Sequence, residues 1–229
     1  LLLQSYGMDH VHSFPVSKEV MSTSWEAFLE NLVAHGAAGF VCGDDFHFGH
    51  RGEGNAEKLQ AFCSRNDLPC VIVPEQTLNG KRISSSLIRS LIESGEMERA
   101  TQFLGHPHML TGTVMHGQKL GRTLGVPTAN LVIPTGIAVP KFGVYACRAF
   151  FDGKHVLAVA NVGTRPTVNG SGITVEPWIL DFEGDLYGRE IRLEFYRFLR
   201  PEIKFADLAA LQHQIQLDAA ETRRYFEMI

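Results

Sequence analysis

The chain has 229 residues, 45% hydrophobic and 20% charged. That is enough for one large domain or two modest ones, and it excludes global disorder. Twenty-one Lys and Arg against 25 Asp and Glu give a net charge of −4, so the basic excess of a nucleic-acid binder is absent. No apolar run approaches the ~20 residues of a membrane span. The opening Leu1-Leu2-Leu3-Gln4-Ser5-Tyr6-Gly7 lacks the basic and long apolar regions of a signal peptide. It also lacks an initiator Met, which places the expected true start upstream.

Trp25, Phe28, Leu29 and Leu32 recur at helical spacing and predict an amphipathic helix over 24–35, ending near Gly36. Gly39 to Gly43 and Cys70 to Val73 read as buried strands, the second stopped by Pro74. Ala56–Arg65, Ser85–Ser94 and Met97–Leu104 read as helices, the last two closed by Gly95 and Gly105. This alternation predicts an α/β layer with a parallel sheet. The four cysteines, Cys42, Cys63, Cys70 and Cys147, form no CxxC pair, so buried thiols in a reducing compartment are expected and zinc is not.

The pattern changes near His106-Pro107, and a domain boundary is placed at about residue 108. Short strands are predicted over 110–116, 143–151, 155–162, 173–182 and 190–199. Asp152-Gly153 is a strong hairpin turn, and Glu183-Gly184-Asp185 reads as a similar one. Ile191, Leu193, Phe195, Arg197 and Leu199 alternate with Arg192, Glu194, Tyr196, Phe198 and Arg200, as a sheet with unequal faces requires. Many short antiparallel strands predict a closed barrel. A terminal helix over roughly 206–226 carries Leu208, Leu211, Ile215 and Ala219 on one stripe.

The densest chemical signal lies at 117–131. Gly117, Gly121 and Gly125 let the backbone approach a bulky anion and aim N–H groups at it, while Lys119 and Arg122 add positive charge. Beyond Pro127, Thr128 and Asn130 supply two hard oxygens on one face of an extended chain, a donor set suited to Mg²⁺ beside phosphate. Taken alone, a glycine-rich stretch favours a hairpin with two turn-capping polar residues; Pro127-Thr128 followed by Ala129-Asn130 tips the reading toward phosphate and metal.

Pro127-Thr128-Ala129-Asn130 after a glycine-rich loop resembles the hallmark of the riboflavin kinase family. Further strings resemble that family in order: Gly143-Val144-Tyr145-Ala146, Asn161-Val162-Gly163-Thr164-Arg165-Pro166-Thr167, Val175-Glu176, Asp185-Leu186-Tyr187-Gly188, Leu199-Arg200-Pro201-Glu202, and Gln214 with Asp218. One departure is Pro177-Trp178, where relatives usually carry a His two positions after the Glu. The resemblance covers about 108–229 and implies a six-stranded antiparallel barrel with a C-terminal helix. It also implies transfer of the ATP γ-phosphate to the riboflavin 5′-hydroxyl. On it, Glu176 is the general base, Thr128 and Asn130 hold Mg²⁺, residues 117–130 hold the ATP phosphates, and Arg200 contacts the flavin. Without that context Glu176 would read as an outward-facing strand residue.

Residues 1–108 resemble part of the Rossmann-like FMN adenylyltransferase half of the bacterial bifunctional enzymes. Gly43-Asp44-Asp45-Phe46-His47-Phe48-Gly49 matches that half's Gly-x-Asp-Phe-x-Phe-Gly loop. Ile83-Ser84-Ser85-Ser86-Leu87-Ile88-Arg89 matches its triphosphate motif, with Ser86 in place of Thr. Ser85 or Ser86 is expected to cap the helix, and Arg89 lies one turn on. His47-Phe48-Gly49-His50 spells a nucleotidyltransferase string in the wrong place and is read as coincidence. The first strand and its histidine motif are absent from the sequence, so no FAD synthesis is expected of these residues alone. Riboflavin, FMN and ATP are the implied small-molecule partners, with no nucleic acid, no membrane and a cytoplasmic location; the oligomeric state is unreadable. The alternative is a non-catalytic flavin-binding or regulatory module.

Overall fold

The computed structural model describes residues 2–13, 15, 17–115, 129–133, 136–167 and 170–229. By packing, the chain divides into two units, Leu1–Arg82 and Ile83–Ile229.

The first unit opens with two short helices, α1 (Leu2–Ser5) and α2 (Lys18–Ser22). The helix α3 (Trp25–Ala34) is capped by Ser24, whose side chain accepts from the Ala27 N–H. The strands β1 (Phe40–Gly43) and β2 (Cys70–Val73) pair in parallel, joined through α4 (Ala56–Arg65). Leu29, Phe48, Leu59, Phe62 and Cys63 form the core of this unit, with Phe40, Cys42, Cys70 and Ile72 packed against it. Both strands were expected to be buried. Only one face is: Val41 is 70% exposed and Val71 55%, because α3 and α4 contribute apolar side chains to the Phe40 and Ile72 face alone. Burial pushes the Cys63 thiol up to about 11, with Cys70 beside it acting in the same direction. The short hairpin β3 (Thr77–Leu78) and β4 (Lys81–Arg82) closes the unit, and Arg82 bridges Asp45 at 2.6 Å and Glu75 at 3.1 Å.

In the second unit, α5 (Ser85–Ser94) and α6 (Met97–Leu104) end at Gly95 and Gly105, both left-handed. The helix α6 packs on strands of the barrel that follows. Six strands close that barrel: β5 (His108–Met115), β6 (Asn130–Val132), β7 (Gly143–Phe151), β8 (Lys154–Thr167), β9 (Gly170–Ile179) and β10 (Glu190–Arg200). Their order is β10-β5-β6-β9-β8-β7, with β10 returning to β7. The Asp152-Gly153 turn joins β7 to β8 with φ of 49° and 74°, the geometry of a two-residue hairpin. Leu110, Tyr145, Cys147, Val162, Val175, Leu193 and Phe195 have no measurable exposure and build the packed interior. Tyr145 stacks edge-on against Phe195 and Phe198 and donates its hydroxyl to the Lys141 carbonyl; burial raises its pKa. The C-terminal helix α7 (Leu208–Glu227) is capped by Asp207, which accepts from the Ala210 N–H at 2.8 Å.

Three sequence expectations are corrected here, and one strand was not foreseen. Glu183-Gly184-Asp185 is not a hairpin, because the flanking β9 and β10 are not neighbours in the barrel. The alternation along β10 breaks at two register shifts, between Phe195 and Arg197 and between Phe198 and Arg200. Arg197 therefore pairs with Ala146 and Phe198 with Tyr145, while Arg200 is opposite Val144. Leu208 is exposed at the start of α7 rather than part of its buried stripe. The strand β6, only three residues long, had no period by which to be read.

Candidate active site on the outer face of the barrel

The outer face of β7 and β8 is covered by α7. Val144, Val159, Leu180 and Ala219 pack there, with Leu157, Trp178 and Leu199 at the margin. Beside this cluster lies a cavity of about 240 Å³. Its polar wall is Asn161, Glu176, Arg200, Glu202 and Asp218; its apolar wall is Val144, Val159, Trp178, Ile203, Phe205, Leu211 and Ile215. A mostly apolar pocket with a few convergent polar groups is the usual form of a small-molecule site.

Strand register explains the convergence. Arg200 on β10 is opposite Val144 on β7, Val144 is opposite Asn161 on β8, and Asn161 is opposite Glu176 on β9. Directly opposed residues share a face of the sheet. The antiparallel pairing of Leu131 with Val175 then sets Asn130 on β6 beside Glu176. One row across five strands thus carries an amide, a carboxylate, a second amide and a guanidinium. Gly143 makes the end of this row possible. Its φ is 148°, and a Cβ there would lie 2.4 Å from the Arg200 carbonyl oxygen.

Arg200 is held as a rigid fork. Its Nε and Nη2 donate to the Asp218 carboxylate at 3.0 and 2.7 Å, and its guanidinium lies over the Phe205 ring. Asp218 is 2% exposed; it also accepts from Gln214 Nε2 at 2.9 Å, and its backbone carbonyl accepts from the Thr222 hydroxyl. The pair is thus buried with its lone pairs used, the condition under which a buried ion pair is tolerated.

Asn130 supplies an unsatisfied buried oxygen at one end of the row. Its Oδ1 is buried and, among the described residues, accepts no hydrogen bond. A native buried oxygen in that state calls for an explanation. A neutral amide oxygen is a hard donor of the kind Mg²⁺ takes, so this residue fits the metal the sequence pointed to. Gly117, Lys119, Gly121, Arg122, Gly125, Pro127 and Thr128 lie outside the described residues.

In the α/β part, Ser84 rather than Ser85 or Ser86 caps α5, accepting from the Leu87 N–H at 3.3 Å. Ser85 is already the first helical residue, so Ser85, Ser86 and Arg89 are left exposed on the first turns. His47 and His50 each engage a backbone carbonyl through Nδ1, of Gly52 and Met21 respectively. His50 sits in the loop closed by the Phe48–Gly54 bridge, and His47 lies just before it. Sequence reasoning placed Asn161 and Glu202 in strings that resemble the kinase family but gave neither side chain a role in the site. They lie 41 residues apart and are joined by a hydrogen bond that no linear spacing announces.

A closed six-stranded barrel with a carboxylate-lined, largely apolar cavity under its terminal helix has the form of a small-molecule site. The riboflavin kinase family model matches residues 104–226, and the FAD synthetase family model matches residues 1–87. The bifunctional riboflavin kinase/FMN adenylyltransferase of Listeria monocytogenes is 36% identical over 222 residues, which are 96% of this chain and 70% of that protein. Its Bacillus subtilis counterpart is 37% identical over 236 residues, covering 98% and 72%. A crystal structure described as a macrolide-efflux protein from Streptococcus pneumoniae superposes with a TM-score of 0.84 at 31% identity, over 96% of this chain and 72% of that one. The chain belongs to the bifunctional riboflavin kinase/FMN adenylyltransferase family. Among the described residues, no helix is long and apolar enough to cross a membrane.

Proposed function

We propose that residues 109–229 form an ATP-dependent riboflavin kinase, with Glu176 as the base that takes the proton of the riboflavin 5′-hydroxyl. The observation that carries this is the row on the outer face, where Glu176 stands between Asn161 and Asn130 in a chain of this family. A primary hydroxyl is a weak nucleophile, and a carboxylate within hydrogen-bond reach can accept its proton as the new P–O bond forms. The apolar wall of the cavity suits a fused aromatic ring, and Arg200, held by Asp218, would face its polar edge. Asn130 and Thr128 would hold Mg²⁺, which when bound neutralises phosphate charge during transfer. Gly117, Lys119, Gly121, Arg122, Gly125 and Pro127 would surround the ATP phosphates. We assign residues 1–108 to the FMN adenylyltransferase region, with Ser85, Ser86 and Arg89 as its triphosphate motif, and the ATP-consuming reaction to the cytoplasm.

The test is direct. The purified chain is incubated with riboflavin, ATP and Mg²⁺, and the flavins are separated by chromatography. FMN without FAD is expected, with Mg²⁺ removal abolishing FMN. A folded chain that binds riboflavin tightly and yields no FMN would replace this reading with a non-catalytic flavin-binding module. FAD in the product would assign adenylyltransferase activity to residues 1–108.

A further inference from the structure

We propose that Glu202 is a positioning residue: it fixes the amide of Asn161 so that Asn161 Oδ1 accepts a hydrogen bond from the 4′-hydroxyl of the substrate's ribityl chain, the hydroxyl next to the reacting one, beside Glu176. This rests on the kinase reading above.

Three observations carry it. Asn161 is the direct cross-strand partner of Glu176, and both side chains line the same cavity. Asn161 Nδ2 donates to Glu202 Oε1 at 3.0 Å. An ionised carboxylate only accepts, so this contact decides which end of the amide is nitrogen and turns the oxygen away from Glu202. Gly163 leaves the room this requires. A Cβ at that position would lie 2.5 Å from Glu202 Oε1, and the glycine's backbone is not left-handed, so close approach rather than turn geometry accounts for it.

The chemistry follows from the polarity so set. An Asn free to flip could offer its NH₂ group to the carboxylate of Glu176 and occupy the base. Tied through Nδ2, it presents an acceptor to a polyol chain whose hydroxyls are donors. Glu202 is held to Asn161 instead of turning its charge toward the base and the phosphates. The arrangement would select a flexible hydroxylated chain and hold its end near Glu176.

The experiment compares the full chain with Glu202→Ala, Glu202→Gln and Asn161→Ala in steady-state kinetics. Substrates are riboflavin and 4′-deoxyriboflavin, which lacks the hydroxyl next to the reacting one. Glu202→Ala and Asn161→Ala should each raise the riboflavin KM by about tenfold, the scale of one hydrogen bond that depends on a charged partner. The ATP KM and the melting temperature should not move. Glu202→Gln should stay within about twofold of the parent, since its amide oxygen can still accept from Asn161. With 4′-deoxyriboflavin, parent and both alanine variants should converge. A riboflavin KM unchanged in Glu202→Ala, or a penalty equally large with the deoxy substrate, overturns the proposal. If the parent makes no FMN, the kinase reading fails, and the same ratios are then read from riboflavin Kd by flavin fluorescence.

Discussion

The two faces of the barrel are built from the same strands and do opposite things. Along β9, Val175 is fully buried in the interior, and Glu176, the next residue, lines the cavity outside. Along β8, Val162 is fully buried, and Asn161 faces that cavity. The inner set is apolar and fully packed; the outer set joins a buried apolar cluster under α7 to the polar groups that line the cavity. The period of two along a strand puts the two sets one residue apart. Substitutions on the two faces should therefore separate activity from folding.

The largest effect expected is on the outer face. Glu176→Gln preserves shape and removes the base, so FMN formation should fall about 10²–10⁴-fold, the range for loss of a general base. Melting temperature and riboflavin affinity should stay near those of the parent. Turnover at the parent rate from a folded Glu176→Gln chain would remove Glu176 from the mechanism. The inner-face counterpart is Phe195→Ala. Phe195 is fully buried against Tyr145, so the truncation should cost about 3–5 kcal/mol of stability. Any chain that remains folded should keep its turnover, with denaturant unfolding and activity per folded molecule as the two readouts.

How much of this contrast was visible in the sequence differs by element. Helix limits were legible wherever local chemistry sets them: the Ser24 cap and Gly36 bound α3, and Gly95 and Gly105 close α5 and α6. The Asp152-Gly153 turn was legible for the same reason. What depends on strand order was not. Nothing near Glu183 shows that β10 avoids β9 and lies between β5 and β7. The two shifts in β10 exchange the faces of Arg197 and Phe198 while leaving Arg200 over Val144, and only the closed barrel demands them. In the site, Asn130 was read from its donor oxygen beside a glycine-rich loop, and Glu176 only through resemblance to a family. Asn161 with Glu202, and Arg200 with Asp218, are pairs that exist only after the barrel closes and α7 docks.

The clamp on Arg200 tests whether the outer face is as independent of folding as the comparison claims. Asp218→Ala leaves a guanidinium whose side chain is 17% exposed without its buried partner. Breaking such a pair by removing one member should cost about 3 kcal/mol, the lower part of the usual range, because Arg200 still reaches the cavity. Here stability and riboflavin KM should worsen together, unlike in Glu176→Gln. A melting temperature unchanged in Asp218→Ala would show that the ion pair serves binding alone.

The smallest effect concerns the polar residue that breaks the rule of the inner face. His108 is 8% exposed, packs against the Phe195 ring, and has an Nε2 with no hydrogen-bond partner among the described residues. Burial lowers its pKa from 6.5 to about 4, and the nearby His106 acts in the same direction against a backbone hydrogen bond with Ala138. The fold therefore holds the imidazole neutral, while the unfolded chain takes up a proton below pH 6.5. Between the folded value near 4 and the unfolded value of 6.5, the unfolded state binds more protons. Stability must then rise with pH across that window. The contribution is complete above it and is lost as pH falls, by on the order of 2 kcal/mol between pH 7 and 5. His108→Gln removes the titration and keeps a polar side chain, so its unfolding free energy should fall less steeply over that interval than the parent's. Equal slopes would show that burial leaves the proton affinity of His108 the same in the barrel as in the unfolded chain. Activity per folded molecule should follow the outer face instead, and be the same in both chains at each pH.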